Sequence, residues 1–456
     1  MARPSALHRA EPLTRAPGYL SLLCRQVSQV PRSSIGTEMH PSGPQVTREG
    51  SRIRIAGKLD QRSFRLLLAS IHQATADKGF QKLTLDFTGT TRAYPGGMLP
   101  VLVTCARLRD EADVDFALVR PKDGELRRLF ANTNWAHLAT PSRFRPSSWQ
   151  PESVLPASRF ASPDEQHRIV DRIMDAVLSS PAAVARESLA AFEWAVNEIT
   201  DNVLQHAEAP LGGLVQLGHY PNAQWLEFVV ADSGRGIPDT IRTARPGMPD
   251  PDALELSIQR GITRDKRAGQ GNGLFGTHRA ARVGDGAFEI HSGYASLGSD
   301  LEARREKIPF PGTLVVVRLD YSDPAALWQA LDIQDARLEP QGDYVQLRYE
   351  QMDDETLHFV VKREAGSLGS RSAGKSARRK LEKLLSMYPD ALVNLDFESV
   401  GLVSSSFADE FLGKLFIRVG ALGFSRRIRF RGVTPTVQSL VDKAILQRAH
   451  QEVEGD

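Results

Sequence analysis

The most regular hydrophobic pattern in the chain lies between residues 189 and 209. Leu189, Phe192, Val196, Ile199 and Val203 recur at alternating steps of three and four, which predicts one helix with a continuous buried stripe. Beside that stripe, Glu198, Asn202 and His206 follow one another at steps of four. Partners at i and i+4 stack on one helix face. A carboxylate, an amide and an imidazole therefore point the same way, as in the floor of a site.

Around this helix the patterns fall into three blocks. In the first, Ser51 to Gly57 and Lys82 to Phe87 alternate as strands, as does Val114 to Val119. Gln61 to Lys78, Gly96 to Arg109 and the short GELRRLFANT read as helices. Strands alternating with helices imply a small α/β layer. Pro141 to Pro156 has no periodicity and reads as a linker.

The middle block begins with a helix from Pro163 to Leu178, followed by the organising helix. Strands are expected over Gly213 to Tyr220 and Trp225 to Ala231. Then come a long polar loop, a glycine cluster at 269–276, and a helix over Thr277 to Val283. Strands Ala287 to Ser292 and Gly312 to Leu319 close it.

After Gln341 the first pattern returns. Tyr344 to Tyr349, Leu357 to Val361, Leu392 to Phe397 and Ile428 to Arg431 read as strands. Ser376 to Met387, Ser406 to Val419 and Val437 to Gln447 read as helices. LTLDFTG around Asp86 matches VNLDFES around Asp396, the mark of a diverged repeat. The expected order is A–B–A′: a disordered leader 1–43, a first domain 44–140, a linker 141–160, a central domain 161–322 and a third domain 340–450.

Composition narrows the class. The 41% hydrophobic and 25% charged fractions of this 456-residue chain suit a globular protein. A net charge of +2 argues neither for nor against a nucleic-acid partner; none is expected. No apolar run approaches the roughly 18 residues of a membrane span. Cys24 and Cys105 are far apart and fit neither a metal-ligand spacing nor a disulfide framework, which suits a reducing cytoplasm. The leader is rich in Arg, Pro and Ser and carries no functional weight; Met1 or Met39 is the start.

The chemistry concentrates in the middle block. WLEFVVA ends abruptly in Asp232-Ser-Gly234-Arg-Gly236-Ile-Pro238. A carboxylate at a strand end accepts a hydrogen bond from an amino group, while the glycines let a flat ring approach the backbone. A tight turn capped by Asp232 is the plainer reading of this segment alone. Gly269-Gln-Gly271-Asn-Gly273-Leu274-Phe-Gly276 precedes a helix, and backbone N–H groups at a helix N-terminus attract anions.

Two other glycine patterns are decoys. Gly369-Ser-Arg-Ser-Ala-Gly374-Lys375-Ser376 spells a phosphate-binding loop, but Lys362 to Leu368 separates it from the preceding strand. Gly271 to Gly276 spells GxGxxG, but it follows DKRA rather than a strand.

Taken together, ExxxNxxxH (198–206), DSGRGIP (232–238), GQGNG (269–273) and Gly312-Thr313 resemble the four boxes of the GHKL ATP-binding superfamily, which includes gyrase, histidine kinases and mismatch-repair ATPases. The resemblance implies an α/β (α+β) sandwich with a mixed sheet covered on one side by helices, and ATP with Mg2+ as cofactors. It makes Glu198 the catalytic base and Asn202 the magnesium ligand. Asp232 takes the adenine amino group, Gly234 and Gly236 shape the purine pocket, and Thr313 lies near the adenine. Gly271 and Gly273 meet the phosphates, and Gly269 and Leu274 are further nucleotide-binding positions. His206 stands where the family often places a basic or polar residue near phosphate, with a structural histidine as the alternative. Arg264, Lys266 and Arg267 sit in the stretch that would form a nucleotide lid, or else a solvated charge run.

The flanking repeats resemble STAS-like domains, the family of anti-sigma-factor antagonists. In those antagonists a strand–loop–helix junction carries a phosphorylatable serine. The third domain has Ser404, Ser405 and Ser406 there, as candidate phosphoacceptors; the first has Tyr94-Pro-Gly-Gly97 and no hydroxyl at the matching serine. Helix capping by Ser406 is the alternative use of the triplet.

The functional expectation is a cytoplasmic Mg-ATP-binding signalling regulator, resembling anti-sigma-factor serine kinases and acting on a protein partner, with a homodimer compatible. The alternatives are an ATP-gated interaction switch with little turnover, and a histidine kinase using His167.

Overall fold

A computed structural model of the chain describes residues 45–148, 155–261, 273–300, 302–331, 342–351 and 354–453. The leader, with Cys24 and Met39, lies outside the described residues, as do positions 149–154 of the expected linker. The chain builds three sheets.

The first sheet has the order β1 (Gln45–Glu49), β2 (Arg52–Leu59), β3 (Lys82–Ala93), β4 (Asp115–Val119). Its first pair is antiparallel and the next two are parallel. The crossovers that parallel strands require are the helices Phe64–His72, extended by one wide turn, and Pro95–Ala112. The third sheet repeats this plan: β10 (Glu350–Gln351), β11 (Asp354–Val360), β12 (Leu392–Asp396) and β13 (Ile428–Arg431) lie in the same order with the same directions. The matching aspartates do the same local work. Asp86 accepts a hydrogen bond from the backbone N–H of Thr88 (2.9 Å), and Asp396 accepts one from that of Glu398 (2.7 Å). Asp396 ends its strand, whereas β3 runs on past Asp86 to Ala93.

Between them sits a five-stranded sheet ordered β5 (Ser158–Phe160), β6 (Gly213–Tyr220), β7 (Trp225–Asp232), β9 (Ala303–Asp320), β8 (Ala287–Leu297). Every pairing in it is antiparallel, so the expected mixed sheet is corrected. For the β6–β7 and β8–β9 pairs the reason is connection length. β6 and β7 are joined by the short turn Pro221–Ala223 with Gln224 left-handed (φ 54°), and β8 runs directly back into β9. Neither link is long enough for a parallel crossover.

Successive strand residues face opposite ways, and both faces of this sheet are buried. Val215, Leu217, Phe228, Val230, Val315 and Val317 share one core with the helices Pro163–Ser179 and Arg186–His206. Leu214, Val229, Ala231 and Leu314 share another with Leu99, Leu102 and Phe130 of the first domain. The sequence expectation of cover on one side holds for the domain's own helices, and the first domain supplies the second cover. Its Arg65 is 5% exposed and donates to the carbonyls of Gly293 (2.9 Å), Ile308 (2.5 Å) and Ala295 (2.8 Å) on β8 and β9.

The third domain docks on the C-terminal end of the Pro163–Ser179 helix. That helix starts on Ser162, whose Oγ accepts from the N–H of Glu165 (3.3 Å), with Pro163 at its first position. At its other end Lys383 Nζ donates to the carbonyls of Val177 (2.6 Å) and Ser180 (3.0 Å) at the helix C-terminus. Asp175 accepts from Tyr344 Oη (2.7 Å) and pairs with Lys380 (3.0 Å).

Three local expectations change. Tyr344–Tyr349 is a helix rather than a strand: Asp343 caps it by accepting from the N–H of Gln346, and the buried Val345 and Tyr349 are spaced by four rather than two. The long polar loop after Asp232 contains the helices Gly236–Arg242 and Asp250–Ser257. The serine triplet is capped by Ser404, whose Oγ accepts from the N–H of Phe407 (3.0 Å), not by Ser406. Among the described residues no helix is long and apolar enough to cross a membrane.

Removing Arg65 leaves three carbonyls unpaired in the seam between the first domain and the central sheet. Arg65→Ala is expected to lower stability by roughly 2 kcal/mol or more in denaturant unfolding. An unchanged midpoint would show that the first domain is not fastened through this residue.

Candidate functional site

The helix Arg186–His206 carries the site because its opposite stripe is committed to the core. Leu189, Phe192, Val196, Ile199 and Val203 are each 6% exposed or less, which fixes the rotation of the helix and leaves Glu198, Asn202 and His206 partly exposed on the neighbouring face. Among the described residues Asn202 Nδ2 is buried with no hydrogen-bond partner. A buried polar atom left unpaired costs roughly 1–3 kcal/mol, so this amide is open to a water or a ligand. His206 lies in the last turn and interacts with Asp201, whose carboxyl is raised by burial and lowered by the histidine.

The strand β7 delivers Asp232 to the same end of the sheet. Asp232 is 2% exposed; its Oδ1 accepts from the N–H of Gly234 (2.8 Å), and the N–H of Thr313 also donates to its carboxyl. Both glycines of the loop are structural necessities. A Cβ on Gly234 would lie 2.0 Å from the carbonyl of Ala207, one residue past the organising helix, and the N–H of Arg235 donates to that same carbonyl (2.8 Å). Gly236 has φ +78°, in the left-handed region, and a Cβ there would strike Ser292 Oγ.

Ser292 joins the remaining pieces. Its hydroxyl donates to the carbonyl of Gly312 (2.6 Å), accepts from the N–H of Ile237 (3.0 Å) and lies 3.4 Å from Thr313 Oγ1. Gly312 is held so close that a Cβ would be 2.2 Å from the carbonyl of Asp232. The end of the helix, the Asp232 loop and the Gly312-Thr313 pair therefore form one hydrogen-bonded unit.

The glycine cluster meets that unit from the other side. Its helix is described over Gly273–Ala280, so Gly273 and Gly276 are already helical, before the expected start at Thr277. A Cβ on Gly273 would lie 2.1 Å from Glu198 Oε2, and one on Gly276 would lie 2.5 Å from the Trp194 ring. These two glycines let the helix cross the organising helix directly over Glu198. Leu274 is half-buried and packs against the central core. Gly269 and Gly271, with Arg264, Lys266 and Arg267, lie outside the described residues.

Burial dominates the electrostatics. It pushes the Glu198 carboxyl up to about 7, with Asp201 adding to the rise. It pushes Asp232 to about 7 as well, against the two backbone N–H donors that favour the charged form. Carboxyls held near neutrality suit a proton acceptor. Among the described residues no group of three His, Cys, Asp or Glu side chains could hold a metal ion. A magnesium ion at Asn202 would thus have to bring its remaining ligands with the phosphates and water, as this hard cation does.

The phosphate-loop decoy falls outside this unit. Arg371–Met387 is a helix capped by Ser370, and Gly374 lies within it, where a Cβ would be 2.8 Å from the carbonyl of Phe407. Of the serine triplet, Ser405 is exposed while Ser404 and Ser406 are half-buried, and all three sit within the third domain. His167 is exposed on the Pro163–Ser179 helix, 3.9 Å from Asp171. Sequence reasoning passed over Ser292 and Trp194. The only trace of Ser292 is a hydroxyl in the buried strand Ala287–Leu297, 20 residues from the carbonyl it meets.

Residues 160–282 match the family model described as histidine kinase-like ATPase domain. No curated protein matches the chain. The matched segment holds the organising helix and the Asp232 loop, and it ends before β8 and β9, which contribute Ser292, Gly312 and Thr313.

Glu198 binds its proton more tightly in the folded chain than at its ordinary value of 4.5. Its contribution to stability is present below about pH 4.5 and is lost as pH rises through 7. Glu198→Gln should therefore stabilise the protein at pH 8 by roughly 1–3 kcal/mol and by much less at pH 5. An equal difference at both pH values would contradict a buried, displaced carboxyl.

Proposed function

We propose that this chain, through the histidine kinase-like ATPase domain that residues 160–282 resemble, is a Mg-ATP-binding regulator of the GHKL type. The observation that carries the reading is the single hydrogen-bonded unit made by the Ala207 end of the organising helix, Asp232, Ser292 and Thr313, with Gly273 packed over Glu198. Adenine belongs at Asp232, with Gly234, Gly236 and Thr313 around it. The phosphates belong at Asn202 and at the start of the Gly273–Ala280 helix, where backbone N–H groups and the helix dipole favour anions. His206 and Leu274 line the same side.

Bound magnesium neutralises phosphate charge and orients the transferring group. The chain's own contribution is positional. Asn202 offers an amide oxygen, and Glu198 accepts the proton of an attacking hydroxyl or water. With its carboxyl near 7, Glu198 is substantially ionised at neutral pH and is still basic enough to take that proton.

The finer reading is a protein serine kinase of anti-sigma type, cytoplasmic, with STAS-like modules on either side and a protein partner. The two flanking sheets share one topology, which supports treating them as a pair. Within the triplet Ser404 is engaged as a cap, so Ser405, exposed beside it, is the acceptor to examine. A second reading, an ATP-gated interaction switch with little turnover, draws support from the docking of both flanking domains on the central one through buried Arg65 and Lys383.

Incubation with Mg and γ-labelled ATP should label protein in the wild type and give no label in Glu198→Ala. Asn202→Ala should weaken magnesium-dependent nucleotide binding about tenfold or more. Label that survives Glu198→Ala would sink the kinase mechanism, and tight binding without label or released phosphate would favour the switch. Acid-labile label on His167 would make the chain a histidine kinase.

A further inference from the structure

The rear of the proposed adenine pocket is not made by the ATPase domain alone. The helix Pro95–Ala112 of the first domain runs across β6, β7 and β9. Near its C-terminal end, Arg107 Nη1 donates to the carbonyls of Ser233 (3.3 Å) and Pro311 (3.4 Å). Ser233 follows Asp232 and Pro311 precedes Gly312-Thr313, so one guanidinium ties together the two segments that converge on the Asp232 carboxyl. Those segments already touch, since a Cβ on Gly312 would lie 2.9 Å from Ser233 Cα. Farther along the same seam Arg65 holds the carbonyl of Gly293, the residue after Ser292. Gln61 Nε2 donates to Glu289 (3.2 Å) on the same strand.

The first domain is shaped for this contact. Its junction Tyr94-Pro-Gly-Gly97 stands where the third domain has its serine triplet. A Cβ on Gly96 would come 3.3 Å from Val316 Cγ2 of β9, and one on Gly97 would come 2.7 Å from the backbone of Leu59 and Asp60. A larger residue at 97 would push the helix off β2 of its own domain, and one at 96 would crowd Gln61 and Val316. The first copy of the repeat thus backs the segments that carry Asp232 and Thr313.

We propose that Arg107 is a positioning residue of the nucleotide site, through which the first domain sets affinity at the adenine end. This rests on the reading of Asp232 and Thr313 as the adenine site. Binding free energies are reciprocal between coupled elements. Nucleotide that holds the Ser233 and Pro311 segments in place therefore also holds Arg107 and its helix, and anything that shifts that helix changes nucleotide affinity. The contact lies at the base end of the pocket, so the coupling is blind to the γ-phosphate.

Titration of the full chain with ATP and with ADP, in magnesium, tests this. Arg107→Ala should raise the Kd for both nucleotides by the same factor, about three- to tenfold. Arg107→Lys, which retains a donor, should recover part of the loss. Arg109→Ala, on the same helix but bonded to the carbonyl of Ala139 inside the first domain, should bind as the wild type does and controls for general damage to the helix. Wild-type affinity in Arg107→Ala, a loss confined to ATP, or an equal loss in Arg109→Ala would each overturn the proposal. If the wild type binds neither nucleotide, the functional reading falls and the proposal with it; if only the Arg107 effect is missing, the functional reading stands.

Discussion

The structure depends on a sheet that has no solvent face. β7, Trp225–Asp232, directs Phe228 and Val230 into the helical layer and Val229 and Ala231 into the first domain, all at 1% exposure or less. Such a strand reads as an unbroken apolar run and requires a cover on each side. One cover is the pair of helices that carries the polar stripe of Glu198, Asn202 and His206. The other is the first domain. Because both covers are set by the same strand, the Arg186–His206 helix, the Asp232 loop and the Pro95–Ala112 helix are held in one register.

The site inherits its properties from that burial. Asp232 lies at the end of the doubly buried strand, which removes its water and raises its carboxyl, and backbone N–H groups of Gly234 and Thr313 compensate. Glu198 is shielded by the close crossing of the Gly273–Ala280 helix, a crossing that only glycine at 273 and 276 permits. Close approach recurs as the organising device: Gly234 on Ala207, Gly312 on Asp232, Gly236 on Ser292. Each glycine brings a backbone segment against another one, so the site is assembled from main chain with a few carboxyl, amide and hydroxyl groups placed on it.

Much of this was legible in the chain. The stripe from Leu189 to Val203 is a strong periodic signal, and the helix lies where the stripe predicts it. Gly213–Tyr220 and Ile428–Arg431 coincide with the expected strands; Gly212 and Pro221 bound the first, and Gly432 closes the second. What escaped depends on distance in sequence. Antiparallel pairing throughout the central sheet follows from which strands meet, which local alternation does not encode. Tyr344–Tyr349 reads as a strand because its aromatic and β-branched residues favour one, yet the Asp343 cap and the docking of Tyr344 on Asp175 make it a helix. Ser292 and Arg107 act on carbonyls 20 and more than 100 residues away, and no local motif announces either one.

On the proposed function, Glu198, Asn202, Asp232, Ser292 and Thr313 belong to one nucleotide site. Hydrogen exchange of the full chain with and without Mg-ATP tests it most directly. Slowed exchange is predicted at the amides of Gly234, Ile237 and Thr313, whose hydrogen bonds knit the pocket, and in the last turns of the Arg186–His206 helix. Protection confined to other parts of the chain, or none at saturating nucleotide, would contradict the account.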